Sequence, residues 1–240
     1  MARAATNSGS EFSKRVHEFI ERVNYRRMES AAELDTIRRL RYDAYLREGA
    51  IGPNDEERLV DEFDDLGKVA NIGVYHEEKL IGGLRLHFLE SPEDPSPAHD
   101  AFADILTPLL QAGKRFVDPN RFVADFTSAR NFPELPFATL RLSMMASAHH
   151  NADFITATVR AEHRAFYRRV FFATQICPPR KYPMLLKDLG LMFVDHGNER
   201  ARILARNPYF ASTPEECAAL FGPTIEKAET PAGGFQKSAA

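Results

Sequence analysis

Two apolar runs, each broken by a single arginine, constrain this chain more than any other feature. Leu80–Phe88 alternates leucines around Arg85, and Val117–Asp125 carries Asp118 and Arg121 beside Phe122 and Val123. Both read as buried strands. A charge inside such a strand is costly unless it is paired or used, so Asp118, Arg85 and Arg121 are candidate site residues. Two strands with one arginine each suggest a cleft for an anionic or carbonyl-bearing ligand. A pair of surface-facing arginines is the competing reading.

Composition narrows the function classes. The net charge of -3 supplies no basic field for nucleic acid. Cys177 and Cys217 are too few for a disulfide framework and suit a reducing compartment, so a cytoplasmic location is expected. No apolar stretch approaches the roughly 20 residues of a membrane span, and Met1–Ser10 lacks the apolar core of a signal peptide. The eight histidines show no metal-ligand spacing, so no metal is expected. Neither a Gly-x-Ser-x-Gly elbow nor a phosphate-binding Walker loop occurs.

Along the chain, residues 1–12 are expected to be disordered, residues 13–222 to form one domain, and residues 223–240 to be a disordered tail. Helical spacing predicts helices over Glu11–Arg27 and Ala31–Arg47, the second ended by Gly49 and Gly52-Pro53. Val69–Tyr75 and Lys79–Leu89 read as a hairpin around His76-Glu77-Glu78. The prolines of Ser91–Asp100 predict a loop, followed by a short helix over Ala101–Gln111. A strand at Arg121–Phe126, a helix at Leu135–His149, a strand at Phe154–Val159 and an amphipathic helix at Glu162–Phe171 come next. Tyr182–Met192 is mixed, Arg200–Ala205 is strand or helix, and Thr213–Leu220 is a short helix. This order fits a mixed sheet with helices on both faces and not a regular βαβ array.

Five segments, in order between about Leu34 and Pro208, resemble the FeeM-like N-acyl amino acid synthases. Their relatives are the acyl-homoserine-lactone autoinducer synthases, and both belong to the GCN5-related N-acyltransferase (GNAT) superfamily. The segments are Arg41-Tyr42-Asp43-Ala44-Tyr45, Asp61-Glu62-Phe63-Asp64, Gly82-Gly83-Leu84-Arg85-Leu86, Asp118-Pro119-Asn120-Arg121-Phe122-Val123 and His163–Arg169. The chain departs from the pattern in having Asp118 where glutamate is usual. Asn120 stands where the autoinducer branch carries serine or threonine, and there is no tryptophan at all. These departures favour the N-acyl amino acid branch. An acetyl-coenzyme-A enzyme of the superfamily has a glycine-containing loop that cradles pyrophosphate, whereas the matching Thr127–Pro133 has no glycine. The resemblance therefore implies an acyl donor on an acyl carrier protein, through its phosphopantetheine arm, with no bound cofactor.

The implied reaction is attack of an amine on a thioester, which needs a base and donors for the oxyanion. The resemblance puts those donors on the backbone of the splayed strand. Asp118 is the first candidate for the base or its water-holding partner and Asp64 the second, although Asp-Pro-Asn is also a favoured turn sequence. Asp61 and Asp64 are candidates to hold the ammonium, or form a solvated acidic segment. Arg121 and Arg85 are candidates to clamp the acceptor carboxylate, or pair with Asp118 or Asp125. Arg41 lies over the same cleft or bonds a helix end. Tyr167 stands where the superfamily places a proton donor to the leaving thiolate, and equally where a helix packing on a sheet buries an aromatic. Arg164, Arg168, Arg169, Arg180 and Lys181 form a basic cluster suited to an acidic carrier protein, or a solvated helix face. Phe88, Phe116, Phe122, Phe126 and Met144 are candidate linings of an acyl groove, with Phe122 also placed among the substrate-binding residues, though aromatics fill any core.

The sequence thus leads to an α/β, GNAT-like fold with a mixed, mostly antiparallel twisted sheet flanked by helices. The expected function is transfer of a long-chain fatty acyl group from an acyl-carrier-protein thioester to the amino group of an amino acid. An acyl-homoserine-lactone synthase and a non-catalytic acyl-binding module of the same fold are the alternatives. No nucleic acid and no transmembrane segment are expected; peripheral membrane contact through the acyl product stays open, without a basic amphipathic helix to argue for it.

Overall fold

The computed structural model describes residues 3–222, so residues 1, 2 and the tail expected at 223–240 lie outside the described residues. Seven strands form one sheet: β1 (Val23–Arg27), β2 (Val69–His76), β3 (Lys79–Leu89), β4 (Phe116–Ala124), β5 (Phe154–Val159), β6 (Thr174–Arg180) and β7 (Leu189–Asp195). Their spatial order is β1-β2-β3-β4-β5-β7-β6. Neighbours are antiparallel except β4 and β5, which run parallel. The helices are α1 (Arg3–Ile20), α2 (Ala31–Arg47), α3 (Pro97–Ala101), α4 (Ala103–Gln111), α5 (Phe126–Asn131), α6 (Leu135–His149), α7 (Arg164–Phe171), α8 (His196–Arg206) and α9 (Pro214–Phe221). The expected mixed, mostly antiparallel sheet flanked by helices is present.

Local chemistry sets the boundaries. Ser30 accepts the Glu33 N–H and Glu33 reaches back to the Ser30 N–H, a capping box that starts α2; Gly49, at φ +60°, follows its end. In the second strand of the hairpin, a Cβ added at Gly83 would lie 2.5 Å from the Ile72 carbonyl oxygen, so only glycine allows that close approach. On one face of the sheet, Leu84, Leu86, Phe88 and Val117 pack on Leu135, Ala138 and Leu142 of α6. Ile155, Ala157 and Val159 of β5 continue that face against Leu140, Met144, Val170 and Phe171. The opposite face, beneath α2 and the turn Glu62–Asp64, carries Arg85, His87, Asp118 and Asn120.

Several expectations need correction. The first helix starts at Arg3, inside the segment expected to be disordered, and stops at Ile20; Val23–Arg27 pairs with β2 instead. Burial of Val23 and the ladder outweigh the helical spacing. The proline loop shortens because Ser96 caps α3 and Pro97 sits in its first turn, where a missing N–H is harmless. β4 begins five residues earlier than expected, so Asp118-Pro119-Asn120 lies inside a strand and is not a turn. β6 was missed because Pro178-Pro179 reads as a break; it pairs only with β7, and proline is tolerated on such an edge. β7 occupies Leu189–Asp195, overlapping the mixed segment, and Arg200–Ala205 falls within α8.

Candidate active site

The charged residues singled out in the sequence converge on one buried cluster. Asp61 caps the turn Glu62–Asp64, accepting the Phe63 N–H, while Asp64 accepts the Asp61 N–H in return. Arg85 donates from Nη1 and Nη2 to the two Asp61 oxygens at 2.6 and 3.1 Å, and its Nη1 lies 2.9 Å from Asp64 Oδ1. Arg41, from α2, reaches Asp64 Oδ1 at 2.7 Å and also donates to Asn71. Arg121 donates from Nε and Nη2 to Asp61 Oδ2, the first at 3.0 Å. All five side chains are no more than 3% exposed. Burial alone would raise the Asp61 and Asp64 carboxyls. The hydrogen bonds and charges of the arginines outweigh it, holding both below the usual carboxylate range.

Asp61 and Asp64 are therefore not solvated, whereas Glu62 and Asp65 beside them are exposed. The arginines pair with Asp61 and Asp64, in place of the Asp118 or Asp125 considered from sequence. Asp61, expected to hold an ammonium, already has both oxygens engaged, and neither it nor Asp64 lines the neighbouring cavity. Arg41 and Arg85 likewise face their carboxylates and not the cavity. Arg121 does line it, and its Nη1 makes no hydrogen bond among the described residues.

Asp118 sits one step further along. Its Oδ1 accepts the Thr156 hydroxyl from β5; its Oδ2 accepts the Ala98 N–H and Asn120 Nδ2, each at 3.3 Å. Asn120 also takes the Arg85 Nε–H on its Oδ1 at 2.7 Å, and its Nδ2 lies 3.0 Å from His87 Nδ1. His87 Nε2 meets the Phe63 carbonyl at 2.9 Å. That carbonyl accepts only, which sets the neutral tautomer with Nε2 protonated and leaves Nδ1 to accept from Asn120. Burial first, then the Arg85 charge, pushes the His87 imidazole down to about 4.

The site opens where the sheet divides. β4 and β5 pair only at Phe116–Phe154 and Val117–Ile155, then part. Pro119 is accommodated because β4 beyond Val117 has no ladder with β5. Against β3, one residue, Leu84, faces two, Arg121 and Phe122, a β-bulge with Arg121 at φ +51°. The left-handed conformation is strained for a non-glycine residue, and the two bonds to Asp61 hold Arg121 in it. A cavity of about 710 Å³, its open mouth included, runs through this gap. Pro119, Asn120, Arg121 and Phe122 line one side; Ile155–Val159 line the other; Tyr45, Leu140, Tyr167, Phe171 and Tyr182 complete the walls. Thr156 lines the cavity while its hydroxyl is bound to Asp118, so Asp118 meets the cavity only through Thr156 and Asn120.

The remaining candidates divide. Tyr167 lines the cavity from α7, and burial pushes its phenol up to about 12. Of the proposed groove residues only Phe122 is there. Phe88, Phe116 and Met144 belong to three separate cores, and Phe126 is 48% exposed beneath Arg47. Arg180 is paired in a fork with Asp104, and Lys181 lies 3.0 Å from Asp188. Arg164 donates to Gln175, whereas Arg168 and Arg169 are exposed with no ion pair among the described residues. Sequence reasoning missed Thr156, Thr158, Tyr45, Tyr182 and His87. Tyr45 stands within a quoted segment and His87 within the run Leu80–Phe88; the alternation of Thr156 and Thr158 with apolar neighbours was the signal for the pair, and Tyr182 had none.

Residues 36–195 match the family model described as "N-acyl amino acid synthase FeeM". No curated protein sequence matches the chain significantly. Among solved structures, FeeM, an N-acyl amino acid synthase from uncultured soil microbes, is similar at TM-score 0.64 and 18% identity, covering 77% of this chain and 97% of that one. TofI, solved in a ternary complex with an inhibitor and MTA, is similar at TM-score 0.56 and 16% identity, with 81% and 98% covered. BjaI, a CoA-dependent acyl-homoserine lactone synthase, follows at TM-score 0.53 and 15% identity, with 73% and 82% covered.

Proposed function

From the premise that this chain belongs to the FeeM N-acyl amino acid synthase family, and so is an acyltransferase, we propose that it moves a long-chain fatty acyl group to the amino group of an amino acid. The donor in this reading is an acyl-carrier-protein thioester, presented on the phosphopantetheine arm in the cytoplasm, with no cofactor bound to the enzyme itself. The observation that carries the reading is the cavity through the splayed sheet, apolar on the α6 and α7 side and polar at Arg121, Asn120 and Thr156. A thioester carbonyl placed between β4 and β5 would have its acyl chain among the apolar walls and its reacting carbon beside the polar ones.

The parts then take roles. The free Nη1 of Arg121 holds the acceptor carboxylate, while Asp61 fixes that guanidinium from behind. The amine proton passes to Thr156 as the Thr156 proton moves to Asp118, which makes Asp118 a base acting through one hydroxyl. A carrier-bound donor is favoured by the start of α5. There the Asp125 carboxylate takes the Ser128 N–H at 2.9 Å and also binds Lys79, so the position where an acetyl-coenzyme-A enzyme of the superfamily cradles pyrophosphate already holds an anion. Among the described residues no helix is long and apolar enough to cross a membrane.

The test is mass spectrometry of lipid extracts from cells overexpressing the chain, followed by the purified chain with acyl-carrier-protein and coenzyme A thioesters. N-acyl amino acids formed from the carrier thioester are the expected result. N-acyl homoserine lactones would replace the acceptor assignment, and preference for the coenzyme A thioester would replace the donor. Acyl binding without turnover would mark a non-catalytic module.

A further inference from the structure

Tyr182 lies between β6 and β7, is 6% exposed and lines the cavity. It belongs to the buried cluster that also holds Phe102, Leu106, Leu189 and Leu191, so it has little freedom to turn away. The phenol oxygen accepts the Thr158 hydroxyl at 3.2 Å. A phenol carries one proton, and with Thr158 acting as donor that proton is left to another acceptor. Among the described residues it has none. Burial, with the nearby Asp118 charge adding to it, raises the Tyr182 phenol well above its ordinary value, so the group stays protonated through neutral pH. Thr156 and Thr158 alternate with Ile155, Ala157 and Val159, which pack towards α6 and α7. Tyr182, Thr158 and Thr156 therefore share the face of the sheet that carries Asp118 and Asn120.

We infer that Tyr182 is a catalytic hydrogen-bond donor to the acyl carbonyl oxygen, oriented for that task by Thr158. The inference rests on the acyl-transfer reading and adds a side-chain donor from outside β4. In the step, the amine lone pair forms the C–N bond as the carbonyl π pair moves onto oxygen. Tyr182 donates to that oxyanion and keeps its proton. The pair then returns to restore the carbonyl, the C–S bond breaks, and the thiolate leaves. The proton taken from the amine through Thr156 to Asp118 is returned to the thiol product.

The experiment uses the full chain with an acyl-carrier thioester and an amino acid. Tyr182→Phe is expected to lower kcat by about a hundredfold, the usual loss for one oxyanion donor. KM should stay within about threefold and the pH profile should keep its shape, because no proton is transferred. Thr158→Val is expected to lower kcat less, by roughly tenfold, as orientation alone is lost. A kcat for Tyr182→Phe within threefold of wild type overturns the inference, as does a displaced alkaline limb, which would make the phenol an acid. A second measurement needs no turnover. A ketone analogue of the thioester, with methylene for sulfur and a ¹³C-labelled carbonyl, is bound to each protein and its infrared stretch recorded. A lower frequency in wild type than in Tyr182→Phe is expected, and equal frequencies, or no shift on mixing, overturn the inference. Absence of turnover in wild type would defeat the acyl-transfer reading, while the carbonyl stretch would still decide the role of Tyr182.

Discussion

On the β1–β4 side of the splay, three arginines and two aspartates are packed out of water with nearly every polar atom engaged by a partner. On the β5–β7 side, among the described residues, no charged residue lines the cavity, and the hydroxyls there are those of Thr156, Thr158, Tyr167 and Tyr182, with Ser143 from α6. The contrast separates shape from chemistry. Charges that satisfy one another cost little further to leave in place and much to disturb, so they suit holding a bulge and a strained Arg121. A hydroxyl with a spare proton or lone pair, facing a cavity, is free to meet a substrate. The first half builds the edge of the site, and the second half supplies most of what is uncommitted in it.

The sharpest way to break this division is to remove one charge from the saturated half. Arg85→Leu takes two hydrogen bonds from Asp61 and one ion contact from Asp64, and leaves Asn120 Oδ1 unpaired. A loss of about 3–5 kcal/mol in urea unfolding is expected, as for breaking a buried pair from one side. Thr158→Val, in the other half, should cost about 1 kcal/mol or less while activity falls. Equal stability losses from the two variants would end the distinction.

A pH titration probes the same half more gently. The His87 pKa is lowered by burial to about 4, against an ordinary value near 6.5, so the unfolded chain binds the proton more readily than the folded one. Its contribution to stability is therefore complete above about pH 6.5 and is lost as pH falls towards 4, on the order of 3 kcal/mol in all. His150 is lowered to about 4 as well, and His149 and His196 are lowered too, so they share the slope. Asp61 and Asp64, whose folded values are depressed, hold their contribution until the pH drops below about 4. His87→Gln, which can still donate to the Phe63 carbonyl, should flatten the unfolding free energy between pH 6.5 and 4 relative to wild type. An unchanged slope would show that the imidazole does not titrate with folding.

The two halves were also unequally legible. The arginine strands could be read because a charge inside an alternating apolar run is conspicuous. The partners of those arginines could not be read, since Asp61 and Asp64 sit in an acidic run whose burial depends on a turn, with Asp64 23 residues from Arg41 and Asp61 24 from Arg85. Pairing with β2 converted Val23–Arg27 from helix to strand, and a diproline hid an edge strand. Starting β4 at Arg121 left Asp118-Pro119-Asn120 to be weighed as a turn, whereas pairing with β3 holds it in the strand. Tyr182 illustrates the limit: a tyrosine after Arg180-Lys181 has no local pattern, and only the β6–β7 pairing carries it to the cavity.

The smallest expected effect lies at the rim, where the comparison can be sharpened without disturbing either half. In the basic cluster, Arg180 is already neutralised by Asp104 and Lys181 by Asp188, whereas Arg168 and Arg169 are exposed and unpaired among the described residues. Complementary charge acts mainly on encounter, and it is screened over about 10 Å at 0.1 M salt. Reversing Arg168 and Arg169 to glutamate should therefore raise KM for an acyl-carrier thioester by roughly tenfold at low salt, less at high salt, and leave a small thioester analogue unaffected. Arg180→Glu also exposes Asp104 and adds a repulsive pair, so Arg180→Ala is the cleaner control, with a KM shift of about twofold or less. A carrier KM that ignores Arg168 and Arg169 would place the docking surface elsewhere on the mouth, while a drop in kcat with both thioesters would mean that α7 had moved Tyr167, tying the rim to the hydroxyl half after all.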